Sequence, residues 1–212
     1  MEKPEAFLLD QITLAQRALI PGTLKTAYEA PAMVVKDEPI FNVPSAVANR
    51  GRIIQWSVDR EFERLVVSGK WPFDYRWRKY ERPTGDYLEI LPSHSAITIS
   101  QVADPTRQPR DVKFRMNKRL SGQGWLTGIP KDDDALTSGI PHVLLLHGHQ
   151  ELNFAHLAMP KGDHESGFWY RTGNLLLMPH GVGDTEAPVE YTEDEAVITL
   201  KEEIDRWRKD NG

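Results

Sequence analysis

The hydrophobic period of this chain changes near residue 70, and that change limits its possible folds more than any other feature. Up to Gly69, apolar residues recur at three- and four-residue spacing, the period of an amphipathic helix. From Tyr75 onward, alternating and β-branched runs separated by turn residues indicate strands. We therefore predict an α+β fold. It comprises a helical part over about 5–69, a mostly antiparallel sheet over about 74–179 that could be strongly curved, and a C-terminal helix over about 193–209.

The N-terminal part is predicted to contain two helices. The first ends before Pro21-Gly22, because Pro cannot donate a helical hydrogen bond and Gly favours a stop. Residues 29–44 contain three prolines and are predicted to be an extended connection. The second helix runs from Ser45 as N-cap to the stop at Ser68-Gly69. Its interior Gly51 costs roughly 1 kcal/mol of helical stability relative to Ala and could allow a close approach to a neighbouring element.

The predicted sheet begins with four consecutive strands, which favours a meander. These strands are 75–81, 86–91, 96–102 and 111–117, the first two joined by a type I turn at 82–85. On the first and fourth strands, one set of alternating residues is assigned to the buried side: Trp77, Val112, Phe114 and Met116. Later strands are predicted at 142–149, 152–159 and 168–178, with a possible break of the last one near 172–174. In the C-terminal helix, a capping box at 192–195 precedes an apolar face formed by Val197, Leu200, Ile204 and Trp207.

Composition and missing motifs exclude several classes of protein. The 212 residues include no Cys, which excludes disulfides, thiolate metal sites and a cysteine nucleophile. The chain start lacks the features of a signal peptide, and the longest apolar runs, such as 143–146, are too short to span a bilayer. We predict one cytoplasmic domain with no membrane association. The sequence has no P-loop, Rossmann fingerprint, Gly-x-Ser-x-Gly or His-Glu-x-x-His motif, which argues against the chemistries that depend on them.

Charge is unevenly distributed along the chain. The net charge is -5, yet residues 50–120 carry 15 Lys and Arg against 9 Asp and Glu. Basic side chains neutralise phosphates and neighbouring aromatic rings can stack on bases, so basic strands with aromatic residues are typical of nucleic-acid binding. The candidate nucleic-acid-binding residues are Arg76, Arg78, Tyr80, Lys113, Arg115, Lys118 and Arg119. Two alternatives remain open, a solvated charged face and a surface for an acidic protein partner.

A second pattern has the spacing of a metal-dependent nuclease. In such sites carboxylates hold a divalent ion and a nearby Lys positions water. Asp111 and Lys113 have the acid-x-Lys spacing. Further carboxylates could come from neighbouring segments: Asp86 or Asp104, and Glu61 or Glu63. A chain with 31 Asp and Glu is expected to contain such a triplet by chance, so Asp86, Asp111 and Lys113 are catalytic candidates without a family assignment.

A third pattern is a group of histidines. If Gln150-Glu151 forms a two-residue hairpin loop, three histidines share one face of the sheet: His147, His149 and His156. They could then hold zinc or another divalent ion, as in a metal-dependent hydrolase. Gln-Glu is an unfavourable hairpin turn, and a shift of one residue would move His156 to the opposite face. An ordinary hydrogen-bonded set and a metal-free acid/base role for His147 remain the alternatives.

Three hypotheses of function follow from these patterns. The leading one is a nucleic-acid-binding protein, including a nuclease-like or base-acting enzyme, that uses the basic sheet face. The second is a non-enzymatic regulator or partner-binding module. The third is the metal-dependent hydrolase.

Overall fold

A computed structural model describes residues 3–80, 85–110, 117, 139–162, 165, 167–178 and 195–211. The helices in these ranges are α1 (Lys3–Gln11), α2 (Leu14–Asp37), α3 (Pro44–Ala48), α4 (Arg50–Val67) and α5 (Glu195–Asn211). The strands are β1 (Asp74–Lys79), β2 (Asp86–Leu91), β3 (Ala96–Val102), β4 (His142–Gly148), β5 (Ala155–Pro160) and β6 (Phe168–Arg171). Short 3₁₀ helices occupy Pro39–Asn42 and Leu175–Leu177.

The six strands form one sheet in chain order, β1 to β6. Neighbouring strands are antiparallel except for β3 and β4, which are parallel. The predicted α+β fold with a mostly antiparallel sheet is therefore confirmed. Strong curvature and a single domain stay predictions. The predicted fourth strand at 111–117 lies outside the described residues except for Asn117, and so does the capping box at 192–195 except for Glu195.

The β1–β2 hairpin is also confirmed, since the two strands pair from Asp74↔Leu91 to Lys79↔Asp86. Gly85 has a φ of 140°, which L side chains rarely adopt, and its carbonyl accepts a hydrogen bond from the Tyr80 amide at 2.9 Å. The other predicted turn residues, 82–84, are not among those described. The burial predicted for Trp77 is wrong: every residue of β1 is exposed, and the Trp77 indole donates to Glu63 on α4 at 2.8 Å.

The central strands are buried on both faces. One face packs against the helices and contains Ile97, Ile99, Val143, Leu145, Leu157 and Met159. The opposite face contains a second apolar cluster of Val102, Leu144, Leu146, Phe154 and Ala158, against which Phe168 packs. Every residue of β4 and β5 is buried. Burial on both faces explains why 143–146 is a continuous apolar run instead of an alternating one.

The predicted end of the first helix at Pro21 is wrong. The chain instead breaks at Ile12 and Thr13, and α2 then continues through Pro21 and Pro31 to Asp37. A helix-interior Pro costs about 3 kcal/mol or more. Ile20, Leu24 and Ala27, on both sides of Pro21, are fully buried, and α2 packs along α4. Burial of this face offsets the local cost, since each large apolar side chain contributes roughly 1.5 to 3 kcal/mol.

The remaining helices differ from prediction mainly at their starts. Residues 29–44 are not an extended connection, because α2 and a 3₁₀ helix occupy most of them. Ser45 lies inside α3 instead of capping α4, which begins at Arg50. The predicted stop of α4 is confirmed: Ser68 is the C-cap and Gly69 has a φ of 74°. Among the helices within the described ranges, none is long and apolar enough to cross a membrane.

The C-terminal helix α5 is present and packs on the helical layer near α1. Ile204 is fully buried and Trp207 packs against the same core. Lys201 donates to Asp10 of α1 at 3.3 Å, and the Arg208 guanidinium donates to the Ser93 carbonyl at 2.6 Å. These contacts attach α5 to both the helices and the β2–β3 turn.

We predict that Ile204→Ala lowers the free energy of unfolding by about 2 to 5 kcal/mol, because it leaves a cavity in the core. Ile198→Ala, at a half-exposed position of the same helix, is the matched control and should change stability little. Denaturant unfolding of both variants checks this. Equal effects would show that α5 does not pack on the core through Ile204.

Candidate functional site

A cleft of about 650 Å³ opens where β1 and β2 meet the C-terminal part of α5. We call it the arginine cleft. It is lined by Pro72, Asp74, Arg76, Arg78, Leu91, Pro92, Ser93, Ala96, Gly139, Ile140, His142, Trp207 and Arg208. Among these described lining residues, three arginines face one carboxylate, that of Asp74. Two further carboxylates that do not line the cleft are paired with these arginines, Glu89 with Arg76 and Arg78, and Asp205 with Arg208 at 3.9 Å. What the cleft offers an anion is therefore a set of exposed guanidinium donors.

Two arginines of β1 are anchored to one buried carboxylate. Arg76 and Arg78 alternate along β1 and therefore share the sheet face that points away from the helices. Glu89, opposite Arg76 on β2, is fully buried, and one of its oxygens accepts from the Nε of Arg76 at 2.5 Å and of Arg78 at 3.4 Å. Both arginine side chains remain about half exposed, at 45% and 49%. Their Nη groups have no hydrogen-bond partner among the described residues.

The other wall of the cleft carries Arg208 and His142. Arg208 is positioned by its hydrogen bond to the Ser93 carbonyl. His142 is buried, and its Nε2 shares a hydrogen bond with the Thr98 hydroxyl at 2.9 Å. Since Thr98 is the cross-strand partner of Glu89, this pair extends the polar strip across β1, β2, β3 and β4. The strip is the polar part of the face that otherwise contains the second apolar cluster.

The structure places only part of the predicted nucleic-acid-binding set. Arg76 and Arg78 lie together at the cleft. Tyr80 follows β1 and its ring lies 5.0 Å from that of Tyr87. The other predicted members lie outside the described residues: Lys113, Arg115, Lys118 and Arg119.

Sequence reasoning misses Glu89. A carboxylate between the apolar residues Leu88 and Ile90, in a strand beside alternating arginines, is the signal that could have identified it.

The nuclease-like pattern is not assembled among the described residues. Asp86 is exposed at the start of β2, opposite Lys79. Glu61 and Glu63 are held on α4 by Arg64 and Trp77 respectively, and Asp104 bonds to Thr106. Asp111 and Lys113 lie outside the described ranges. Within those ranges, no three His, Asp or Glu side chains stand where they could together hold a metal ion. The catalytic roles of Asp86, Asp111 and Lys113 stay predictions.

The predicted histidine face is wrong by one residue of register. His147 pairs with Ala155, and Leu146 pairs with His156, so His147 and His156 project from opposite faces. The connection is the six-residue loop 149–154 instead of a two-residue turn. A side chain at Gly148 would collide with Glu151 and Asn153, so glycine allows this loop to fold back on the strand. The Nδ1 of His156 is 2.8 Å from the Thr172 carbonyl oxygen.

His147 forms a buried relay with Tyr28 of α2. The Tyr28 hydroxyl lies 2.7 Å from His147 Nδ1 and donates to the Gly148 carbonyl in a short hydrogen bond. Because a carbonyl only accepts, the single hydroxyl proton is used there, and Nδ1 must donate to the hydroxyl. Burial lowers the pKa of His147 to about 3, so the ring is neutral. Its Nε2 is then a buried acceptor with no hydrogen-bond partner among the described residues.

Gly51 allows α4 to approach the ends of β3 and β4. A Cβ at this position would lie 3.2 Å from both the Gln101 side chain and the His149 ring. Gln101 donates to the Gly51 carbonyl at 2.7 Å, and Gln101 pairs with His147 in the sheet. The close approach that the sequence predicts for Gly51 is confirmed. His149 itself is exposed in the loop. Roles of His147, His149 and His156 in metal binding or acid/base chemistry stay predictions.

We predict that His147 is neutral with its proton on Nδ1 from neutral pH down to about pH 4, given its pKa of about 3. Multiple-bond nitrogen–proton NMR spectra of the ring identify the tautomer.

Tyr28→Phe should destabilise the fold by about 1 to 3 kcal/mol, because two buried polar groups lose their partner. Tyr75→Phe, at an exposed ring, is the control. A charged ring or the Nε2–H tautomer at neutral pH would contradict the relay.

Asp59 is a buried carboxyl that belongs neither to the arginine cleft nor to the Tyr28–His147 pair. It lies on the buried face of α4 and accepts a hydrogen bond from Gln55 at 2.8 Å. Burial raises its pKa from 3.8 to about 7, although the Gln55 hydrogen bond acts in the opposite direction. In the folded protein Asp59 therefore keeps its proton well above the pH at which the unfolded chain loses it.

This raised pKa predicts a pH-dependent stability. The contribution of Asp59 is fully present below about pH 3.8 and is lost as pH rises through about 7. As pH rises across that window, the free energy of unfolding of Asp59→Asn should increase relative to that of wild type by up to about 1.4 kcal/mol per pH unit. Asp104→Asn is the control with the opposite sign, since its hydrogen bonds from Thr106 lower the pKa of Asp104. Denaturant unfolding at pH 5 and pH 7 measures this. The same difference in free energy of unfolding between wild type and Asp59→Asn at both pH values would contradict the raised pKa of Asp59.

Comparison of the chain with family models, with characterised proteins and with solved structures finds no match. The function of the chain is therefore inferred from its residues and their geometry.

Proposed function

We propose that the chain binds nucleic acid and that the arginine cleft holds the backbone phosphates. The observation that supports this most strongly is the attachment of Arg76 and Arg78, through their Nε atoms, to Glu89. This attachment restricts both side chains before any ligand arrives, so less conformational entropy is lost on binding. Both arginine side chains remain about half exposed and line the cleft, and a guanidinium edge matches two oxygens of a phosphate.

The donors on the two walls of the cleft favour the same class of ligand. Arg208, whose own ion pair with Asp205 is long at 3.9 Å, adds a third guanidinium on the opposite wall. Guanidinium donors that are held in place on two walls can orient a polyanion at short range. Tyr75 and Trp77, exposed on the other side of the same edge strand, offer ring faces on which unpaired bases could stack. Single-stranded nucleic acid is therefore the preferred form. We propose binding of the nucleic acid without its cleavage.

The test replaces Arg76, Arg78 and their shared carboxylate Glu89 together. Changing the arginines alone would remove both arginine partners of the buried Glu89 carboxylate, which is strongly destabilising. We therefore combine Arg76→Gln, Arg78→Gln and Glu89→Gln. The matched control is Arg60→Gln, Arg64→Gln and Glu61→Gln on α4, where two arginines likewise flank one buried carboxylate and the net charge changes equally.

We predict that the cleft variant binds labelled single-stranded DNA and RNA at least about tenfold more weakly than wild type, which corresponds to 1.4 kcal/mol. On duplex DNA, the slope of log affinity against log salt should fall by about one unit for each lost phosphate contact. The control variant should bind as wild type does. Fluorescence anisotropy between about 50 and 200 mM salt measures both quantities.

Polyglutamate is included as a probe for the alternative, an acidic protein partner. Salt-sensitive binding of wild type to polyglutamate without binding to any nucleic acid would overturn the proposal in favour of that partner class. Equal affinities and salt slopes for the cleft and control variants would also overturn it. If the triple cleft variant does not fold, Arg208→Gln, which leaves the Glu89 group intact, replaces it with the same expected direction.

A further inference from the structure

A second cavity lies on the helical side of the molecule, away from the face that carries Arg76 and Arg78. It has a volume of about 360 Å³ and lies between α2, α4 and the β4–β5 loop. We call it the α2–α4 cavity. This volume is within the range of small-molecule sites. Six of its lining residues bear on what it could bind: Tyr28, Val35, Lys36, Arg50, Ile53 and Gln150.

The charged groups of this cavity are all positive among its described lining residues. Lys36 comes from the last turn of α2, and Arg50 is the first residue of α4. The Arg50 Nε is buried and has no hydrogen-bond partner within the described part of the chain. A buried polar donor without a partner is unfavourable, so an acceptor that reaches the Arg50 guanidinium from the cavity improves its hydrogen bonding.

The position of Arg50 in α4 adds to the positive field. The first turn of α4 contains no acidic residue, and its N-cap, Asn49, makes no side-chain capping bond. The amino end of a helix carries partial positive charge, which favours anions and disfavours a cation such as Arg50. An anion beside Arg50 would therefore interact favourably with both the guanidinium and the helix terminus.

Two further features show that the cavity walls are held in place. The Tyr28 ring lines the cavity while its hydroxyl is held by His147 and Gly148 on β4. Gln150, on the loop wall, has a φ of 64°, although it is not a glycine. A non-glycine residue in this region is strained and persists only where its surroundings require it. The remaining wall is partly apolar, with Val35 and Ile53.

We propose that the α2–α4 cavity binds a small amphipathic organic anion. Its anionic group lies at Arg50 and Lys36, and its apolar body lies against Tyr28, Val35 and Ile53. This site is independent of nucleic-acid binding, since Arg76 and Arg78 project from the opposite face of the sheet.

The test uses two dyes that differ in charge. Anilinonaphthalene sulfonate carries an anionic group on an apolar body, and phenylnaphthylamine is its uncharged analogue. Wild type should bind the sulfonate saturably at one site. Arg50→Gln should weaken sulfonate binding by about tenfold and leave phenylnaphthylamine binding unchanged. Arg52→Gln, at an exposed arginine in the same turn, is the matched control and should leave both affinities unchanged.

Further measurements keep the outcome decisive. Ala32→Phe places a ring at a lining position and should weaken binding of both dyes. A single-stranded oligonucleotide should not displace the sulfonate, which separates this site from the arginine cleft. If Arg50→Gln fails to fold by circular dichroism, Lys36→Gln, at an exposed position, takes its place. The proposal is overturned if wild type shows no saturable site, or if the folded Arg50 or Lys36 variant binds the sulfonate as wild type does.

Discussion

Burial of the central strands on both faces is the constraint on which the rest of the structure depends. Strands β3, β4 and β5 contribute apolar side chains to two separate clusters, one under the helices and one on the opposite face. Few polar groups can enter such strands without a partner. Thr98 and His142 share a hydrogen bond, and His147 is bonded to Tyr28. Among the described strands, Asp, Glu, Lys and Arg accordingly occur in β1, β2 and β6 and not in β3, β4 or β5.

The β1–β2 pair and helix α4 each contain a buried carboxylate that is paired with two arginines, but in different surroundings. Glu89 and Glu61 are each buried and each paired with two arginines. On α4 the arginine side chains are 69% and 62% exposed, and pairs of this kind add little stability. The cavity that Arg64 lines also contains its partner Glu61. On β1 the arginines line a cleft whose opposite wall carries Arg208. The surrounding elements, and not the ion pairs themselves, make one group a candidate for anion binding.

Part of the candidate site could be predicted from local sequence. Alternation along β1 places Arg76 and Arg78 on one face, because the side-chain period of a strand is two. Glu89 was not connected to them: its place between Leu88 and Ile90 marks a buried carboxylate, but which arginine it faces depends on the register of β1 and β2. The histidine prediction failed for the same reason: one residue of register moved His156 to the other face. The loop that sets this register folds back onto Gly148 through Glu151 and Asn153. Hydrophobic periodicity does not indicate a contact of this kind.

By itself, the sequence determined the type of most elements and the stop of α4, because period, turn residues and a glycine with positive φ act over a few neighbouring residues. It also determined that Gly51 would accept a close neighbour. Only the tertiary structure decided that α2 continues through Pro21, that β3 and β4 are parallel, and that Arg50 and Tyr28 line one cavity. These outcomes depend on packing between residues far apart in the chain, where burial of large apolar side chains outweighs local preference.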